Sequence, residues 1–242
     1  MRFLDSSLGR RDELVSLGHM SDKIAVVTGA TGGMGREIID DLARDHHVYA
    51  LGRRAAELQG RDNVTPVPGD LCAGLDEGIK LPELERVDVL VHAAAVAEKL
   101  SVESATVDDW RKHMDLNVHA PAELTRVLLP KLRAAGGIVV FINSGAGRTS
   151  YGDNVVYAAS KHALYALADG LRLAEQDIRV STVAPGPTDT PMLQGLQDYN
   201  PAHVIAPAEV ARAIRFVVDT GATTQLTDVQ VRPRIELNQR VK

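Results

Sequence analysis

"VVTGATGGMGREI", residues 26–38, decides the fold. Its β-branched start reads as the end of a buried strand. Its close leads into "GREIIDDLARD" (35–45), which has helical period. Between them stand Gly29, Gly32, Gly33 and Gly35. Glycines in such a turn permit positive φ and let a phosphate approach the backbone. The helix that follows offers free N–H groups and a positive dipole end.

Outward from this stretch the same alternation repeats. Strand patterns run through "KIAVVTG", "HHVYALGR", "NVTPVPGD", "RVDVLVHAAA", "GIVVFINS", "IRVSTVAPG" and "LTDVQVRPR". Helical patterns occupy 109–136, disturbed near Pro121 and Pro130, then 156–177 and 207–220. Apolar strands separated by helices predict α/β architecture: a doubly wound, mostly parallel sheet of seven strands with helices on both faces. No repeat or Gly/Ser linker divides the chain, so residues 20–242 are expected to form a single domain with a substrate loop at about 190–206. The first 19 residues stand apart. They read as a disordered or appended arm, or as an amphipathic helix using Phe3, Leu4, Leu8, Leu14, Val15 and Leu17; no long apolar core marks a secretory signal.

A glycine turn that follows a strand, opens a helix and begins a run of βα units predicts dinucleotide binding, with the backbone of Gly29, Thr31, Gly32, Gly33 and Met34 around the pyrophosphate. The second strand ends "ALGRR" and lacks the carboxylate that would hold a ribose 2′-OH. Arg53 and Arg54 can instead pair with a 2′-phosphate, which favours NADP(H); both could also simply face water, and NAD(H) remains possible. Net charge is −5, which argues against a nucleic-acid surface. No run of about 18 apolar residues points to a membrane span. The lone Cys72 cannot form an internal disulfide, which fits a reducing cytoplasm. "GDLCAG" gives it no neighbouring base, so it reads as a small inert residue.

"YAASK" (157–161) puts a phenol and an amine one helical turn apart. The Lys161 ammonium would favour the ionised phenol, so the spacing predicts a Tyr157 pKa below its ordinary value of about 10. Tyr157 would then serve as general acid or base. Ser144 ends the fifth strand, where ligands of open α/β sheets sit, and its hydroxyl can bond a substrate oxygen on which charge develops. A strand-end serine also commonly caps a turn. His113 and His119 read as surface or helix-face histidines, since no carboxylate or cysteine completes a metal spacing. A hydrolase is disfavoured because no G-x-S-x-G elbow is present.

Thr28, Gly29, Gly33 and Gly35 fit T-G-x-x-x-G-x-G; "GDL" contains Asp70 and Leu71; "VHAAA" (91–95) stands where N-N-A-G is usual, with His92 for Asn and Ala95 for Gly. "LNVHAP" supplies Asn117, "INSGAG" Ser144, "YAASK" the Y-x-x-x-K, and "PGPTDTPM" (185–192) approximates P-G-x-V-x-T with Thr188 in place of Val. In this order the motifs resemble the short-chain dehydrogenase/reductase family over nearly everything after Met20. The resemblance implies a catalytic set Asn117, Ser144, Tyr157 and Lys161. It implies adenine contacts from Asp70 and Leu71. Further cofactor contacts come from Ala93, Ala94, Tyr157, Lys161, Pro185, Gly186, Thr188 and Thr190. Lys161 would also hold the nicotinamide ribose, and Asn117 a water relaying protons to Lys161, although Asn117 could merely satisfy a backbone group.

Met192, Leu193, Leu196 and Tyr199 would form an apolar lid, with Arg148 and Tyr151 on the opposite wall. The short segment 54–60 implies a compact family member, and the family's habit implies a homodimer or homotetramer packed through the helices of Asn117 and Tyr157. The function so read is hydride transfer between NADP(H) and a small-molecule carbonyl or alcohol. Alternatives are a non-catalytic dinucleotide-sensing regulator on the same fold, or a related lyase or epimerase.

Overall fold

Seven strands pair in parallel in the order β3-β2-β1-β4-β5-β6-β7. The computed structural model describes residues 23–74 and 78–235, so the expected N-terminal arm lies outside the described residues. In chain order the elements are β1 (Ile24–Thr28), α1 (Gly33–Leu42), β2 (His47–Gly52), β3 (Val64–Pro68), β4 (Val89–His92), α2 (Val107–Met114), α3 (Ala120–Ala135), β5 (Ile138–Ile142), α4 (Val155–Ala174), β6 (Arg179–Pro185), α5 (Pro191–Leu196), α6 (Pro207–Val218) and β7 (Asp228–Val231).

Helices cover both faces, so the central strands are apolar on both sides. In β5, Ile138, Val140 and Ile142 face a core shared with Ile38 and Ile39 of α1 and Ile214 and Val217 of α6. Val139 and Phe141 face the opposite core, with Leu124, Leu128 and Leu132 of α3 and Leu164 and Ala168 of α4. Burial of aliphatic side chains on this scale, each contributing about 1.5–3 kcal/mol, holds the three layers together. Pro66 and Pro68 are tolerated because β3 is an edge strand, where a missing N–H costs no inner ladder bond.

The helix expected over 109–136 is broken, but at one place only. A π turn at Asp115–His119 separates α2 from α3, and Pro121 follows it in the first turn of α3. Pro130 lies inside α3 without ending it. The helix expected to reach residue 177 stops at Ala174, where Glu175 leaves the helical path and accepts both Arg133 bonds at 2.7 and 2.8 Å. After β2 there is only a single 3₁₀ turn, Ala55–Leu58, as the short segment implied.

The segment after β6 is tied at its base. Asp189 N–H donates to Ile205 O and Ile205 N–H to Pro187 O, both at 2.9 Å. Between these ties lie α5, capped by Thr190, and a 3₁₀ turn at Pro201–His203. Tyr199 donates to Asp189 at 2.5 Å, which folds the loop onto its own stem.

Candidate active site

The chain reverses its winding between β1 and β4, and the crevice there opens at the C-terminal strand ends. Two adjoining clefts, of about 270 and 380 Å³, share Met34, Thr190 and Met192. The first is bounded by the glycine turn. Gly29 has φ +66°, and a Cβ there would lie 2.7 Å from the Ala94 nitrogen, so only glycine fits between β1 and β4. A Cβ on Gly35 would strike the Gly29 carbonyl, so the start of α1 packs directly on the turn. Thr28 fastens the two strand ends by accepting from Ala93 and Ala94 N–H, each at 3.1 Å.

Gly29, Thr31, Gly32, Gly33, Met34, Arg53, Arg54, Asp70, Leu71, Ala93, Ala94 and Thr190 all line this first cleft. Asp70 also accepts from Cys72 N–H at 2.9 Å, fixing the turn after β3. Arg54 is within 3.7 Å of Glu57, which Arg36 also engages at 2.8 Å. Ala95, Leu116 and Pro191 join the lining without having been expected there.

Ser144, Tyr157, Pro185, Gly186 and Thr188 line the second cleft. The Ser144 hydroxyl does two things. It accepts from Ala146 N–H at 3.2 Å, capping the turn after β5, and it stands near enough to the Tyr157 phenol to favour the ionised form. The capping reading of this serine therefore holds, and the hydroxyl still lines the cleft. Met192, Leu193 and Leu196 of α5 form the apolar wall, and Tyr151 stands on the rim, 59% exposed.

Lys161 is 2% exposed and lies behind Tyr157, its Nζ 5.7 Å from the phenol ring centre. It donates to the Ile142 carbonyl at 2.9 Å. Burial depresses its pKa to about 8. Burial raises that of Tyr157, and the nearby Ser144 hydroxyl only partly opposes this. The expected fall in the Tyr157 pKa is thus corrected: desolvation of the phenol is the largest influence on it and works in the opposite direction.

Asn117 is 1% exposed, in the π turn. Its side chain accepts from Val96 N–H and donates to Val96 O and to the Ser160 hydroxyl, each at 2.9 Å. Ser160 in turn donates to the Tyr157 carbonyl at 2.8 Å. The Asn117 side chain is therefore spent on protein partners. Its carbonyl differs, because Pro121 has no N–H to offer it one turn on. A π turn of this kind widens the helix, often at a functional position.

Arg148 requires a correction. It does not line the second cleft; it stacks 4.4 Å above the Tyr165 ring and pairs with Asp228, because β7 brings that carboxylate beside the loop after β5. His113 is fully buried against the helix layer, with Nδ1 bonded to the Asp109 carbonyl at 2.8 Å, while His119 is exposed beside Asp115. His92, in place of the usual asparagine, stacks on Phe141, bonds Thr125 at 2.8 Å, and has its pKa pushed by burial down to about 3. It points into the α3/α4 core instead of the cleft.

Two positioning residues escaped sequence reasoning. Asn143, 3% exposed, accepts from Ser144 N–H at 2.9 Å and donates to the Lys161 carbonyl at 3.2 Å. It joins the strand that carries the serine to the helix that carries the lysine. Ser160 links Asn117 to the Tyr157 turn. Neither leaves a local signature, since both act through partners distant in sequence. Among the described residues no helix is long and apolar enough to cross a membrane, and no cluster of three or more His, Cys, Asp or Glu could hold a metal.

Comparison with known proteins agrees with this fold. The family model of the short chain dehydrogenases matches residues 23–200. An uncharacterized oxidoreductase of Staphylococcus saprophyticus is 29% identical over 231 residues, covering 88% of this chain and 98% of its own. The crystal structure of a short-chain dehydrogenase/reductase from Corynebacterium glutamicum is 48% identical, covers 88% of this chain and 100% of its own, and superposes with a TM-score of 0.68. A serine dehydrogenase complexed with NADP+ is 26% identical, with a TM-score of 0.76 over 86% of this chain and 94% of its own. A glycine turn on a parallel sheet, a Y-x-x-x-K whose lysine is buried, and a match to three quarters of the chain lead to one assignment: the protein belongs to the short-chain dehydrogenase/reductase family.

Proposed function

We propose that this oxidoreductase transfers hydride between NADP(H) and the carbonyl or secondary alcohol of a small molecule, with Tyr157 as general acid and base. The observation that carries this reading is that Tyr157 and Ser144 line one cleft, which adjoins the cleft of the glycine turn. The residues present fit a dinucleotide. The N-terminus of α1 and the bare turn at Gly29 and Gly32 suit a pyrophosphate, and Arg53 and Arg54 on the rim suit a 2′-phosphate. When bound, the nicotinamide supplies or accepts the hydride and, in its oxidised form, brings a positive charge near Tyr157.

The chain's own groups do the rest. Ser144 holds the substrate oxygen through its hydroxyl. Tyr157 gives its proton to that oxygen in reduction and takes one from the alcohol in oxidation. Lys161 holds the ribose hydroxyls and, with a pKa of about 8, exchanges protons readily near neutrality. The Asn117 carbonyl, deprived of its usual helical donor by Pro121, holds a water that links Lys161 to solvent. α5 closes the apolar side of the cleft and excludes water. A homodimer or homotetramer, with Ala166 exposed on α4 and Ala158 and Ala168 packed inside, and a cytoplasmic setting complete the reading.

Turnover of a ketone and alcohol panel by wild type and Tyr157→Phe tests the mechanism. The variant should lose about 10²–10⁴-fold in kcat while binding NADPH as before. Unchanged turnover refutes the role of Tyr157; normal cofactor binding without any Tyr157-dependent turnover supports the dinucleotide-sensing regulator. Cofactor choice is tested by Arg53→Ala. NADPH affinity should fall by about 10-fold or more while NADH affinity stays constant. Equal losses would remove the 2′-phosphate assignment.

A further inference from the structure

We propose that Arg36 sets the strength of the 2′-phosphate site without touching the cofactor: it holds back the Glu57 carboxylate, which would otherwise compete with the phosphate for Arg54. This deepens, and rests on, the NADP(H) reading of the first cleft. After β2 the chain makes a single 3₁₀ turn, Ala55–Leu58, with Arg54 as its N-cap. Ala55 and Leu58 are buried and anchor the turn, which leaves Glu57 facing outward. Glu57 N–H donates to the Arg54 carbonyl at 3.0 Å, and residues three apart in such a turn eclipse one another. The Glu57 carboxylate therefore stands beside the Arg54 guanidinium. Arg54 lines the first cleft; Glu57 and Arg36 do not.

The two oxygens of that carboxylate are divided between two cations. Oε2 accepts from Arg36 Nη2 at 2.8 Å, whereas Oε1 lies 3.7 Å from Arg54 Nη1, too far for a hydrogen bond. Arg36 stands in the first turn of α1, and its Nε donates to the Thr31 carbonyl in the glycine turn at 3.2 Å. One guanidinium thus spans from the glycine turn to the turn after β2 and cancels the Glu57 charge on the way. A 2′-phosphate carries almost two negative charges at neutral pH, so it binds best to an Arg54 fork shared with no other anion. Without Arg36, the Glu57 carboxylate would be left to Arg54, and its charge would stand uncancelled beside the phosphate. NADH presents a neutral hydroxyl at the same place and would not register the change.

Fluorescence titration of the full chain with NADPH and with NADH tests this. Arg36→Met should weaken NADPH binding by about 2- to 5-fold relative to NADH, the range expected of half-exposed ion pairs. Glu57→Gln removes the charge and keeps an acceptor for Arg36, so the double variant Arg36→Met/Glu57→Gln should recover the wild-type preference for NADPH or exceed it. In about 1 M salt, where the Debye length is about 3 Å, the Arg36→Met deficit should shrink. Equal loss of both cofactors would confine Arg36 to holding the glycine turn through Thr31, and overturns the proposal. A selective loss that persists in the double variant, or one that salt leaves unchanged, overturns it as well, since the Glu57 charge would not be its cause. Arg54→Ala separates this proposal from the reading beneath it. If Arg54→Ala weakens NADPH selectively and Arg36→Met does not, the NADP(H) reading stands and the role of Arg36 falls. If neither Arg53→Ala nor Arg54→Ala changes the ratio of NADPH to NADH affinity, the NADP(H) reading itself fails and the proposal goes with it.

Discussion

The two faces of the sheet bury different chemistry. Between the sheet and α1/α6 lie Ile38, Ile39, Leu42, Val210, Ile214 and Val217, an aliphatic layer. Its ionic tie, Arg215 to Asp41 at 2.7 Å and to Asp45 at 2.9 Å, stays at the rim. The α3/α4 side buries leucines too, but among them sit His92, Asn117, Thr125, Ser160 and Lys161. One face is devoted to packing. The other holds donors, acceptors and a lysine away from water, where each must find a partner.

The largest effect that could break this contrast is on the packing face. Ile214→Ala, at a position 1% exposed, should cost about 2–4 kcal/mol in denaturant unfolding while leaving kcat/KM within about twofold. A comparable loss of activity in a variant that remains folded would mean that the two faces are coupled. The polar face should behave in the opposite way for Lys161→Met. The folded-state pKa of Lys161 is depressed to about 8 from an ordinary 10.5, so charging it costs stability fully below the folded value and not at all above the unfolded one. The variant should therefore gain about 1–3 kcal/mol at neutral pH, net of the lost bond to Ile142, and that gain should vanish as pH rises to about 10.5. Activity should be lost throughout. A variant less stable than wild type at neutral pH would show the buried lysine to be a net support.

The smallest expected effect concerns His92. Its folded pKa is depressed to about 3 from an ordinary 6.5, so its contribution is present above the unfolded value and declines as pH falls through it. Relative to His92→Asn, wild type should lose about 1 kcal/mol between pH 6.5 and 5.5. Parallel stability profiles for the two proteins would mean that His92 is not the neutral core residue its stacking on Phe141 indicates.

Much of the fold was legible in the chain because its signals are local. β5 could be read from five consecutive apolar residues, and the edge position of β3 is consistent with its two prolines. The π turn was not legible: helical period continues through Asp115–His119, and only the packing of Asn117 against Val96 and Ser160 shows where the extra residue is accommodated. Within the site, the residues along the first cleft follow from glycine spacing and strand ends. Arg148 was misplaced and Asn143 missed because each is defined by a partner far along the chain, Asp228 for one and Lys161 for the other.

The sequence by itself determined the alternation of strand and helix, the bare turn at the end of β1 and the Tyr157–Lys161 pairing on one helical face. Those are properties of residues a few positions apart, set by backbone sterics and helical period. Only the tertiary structure decided which charge forms that pair favours and which cation reaches the cleft. Desolvation depends on what distant segments close over a group, and Arg232 lines the second cleft only because β7 is laid beside β6.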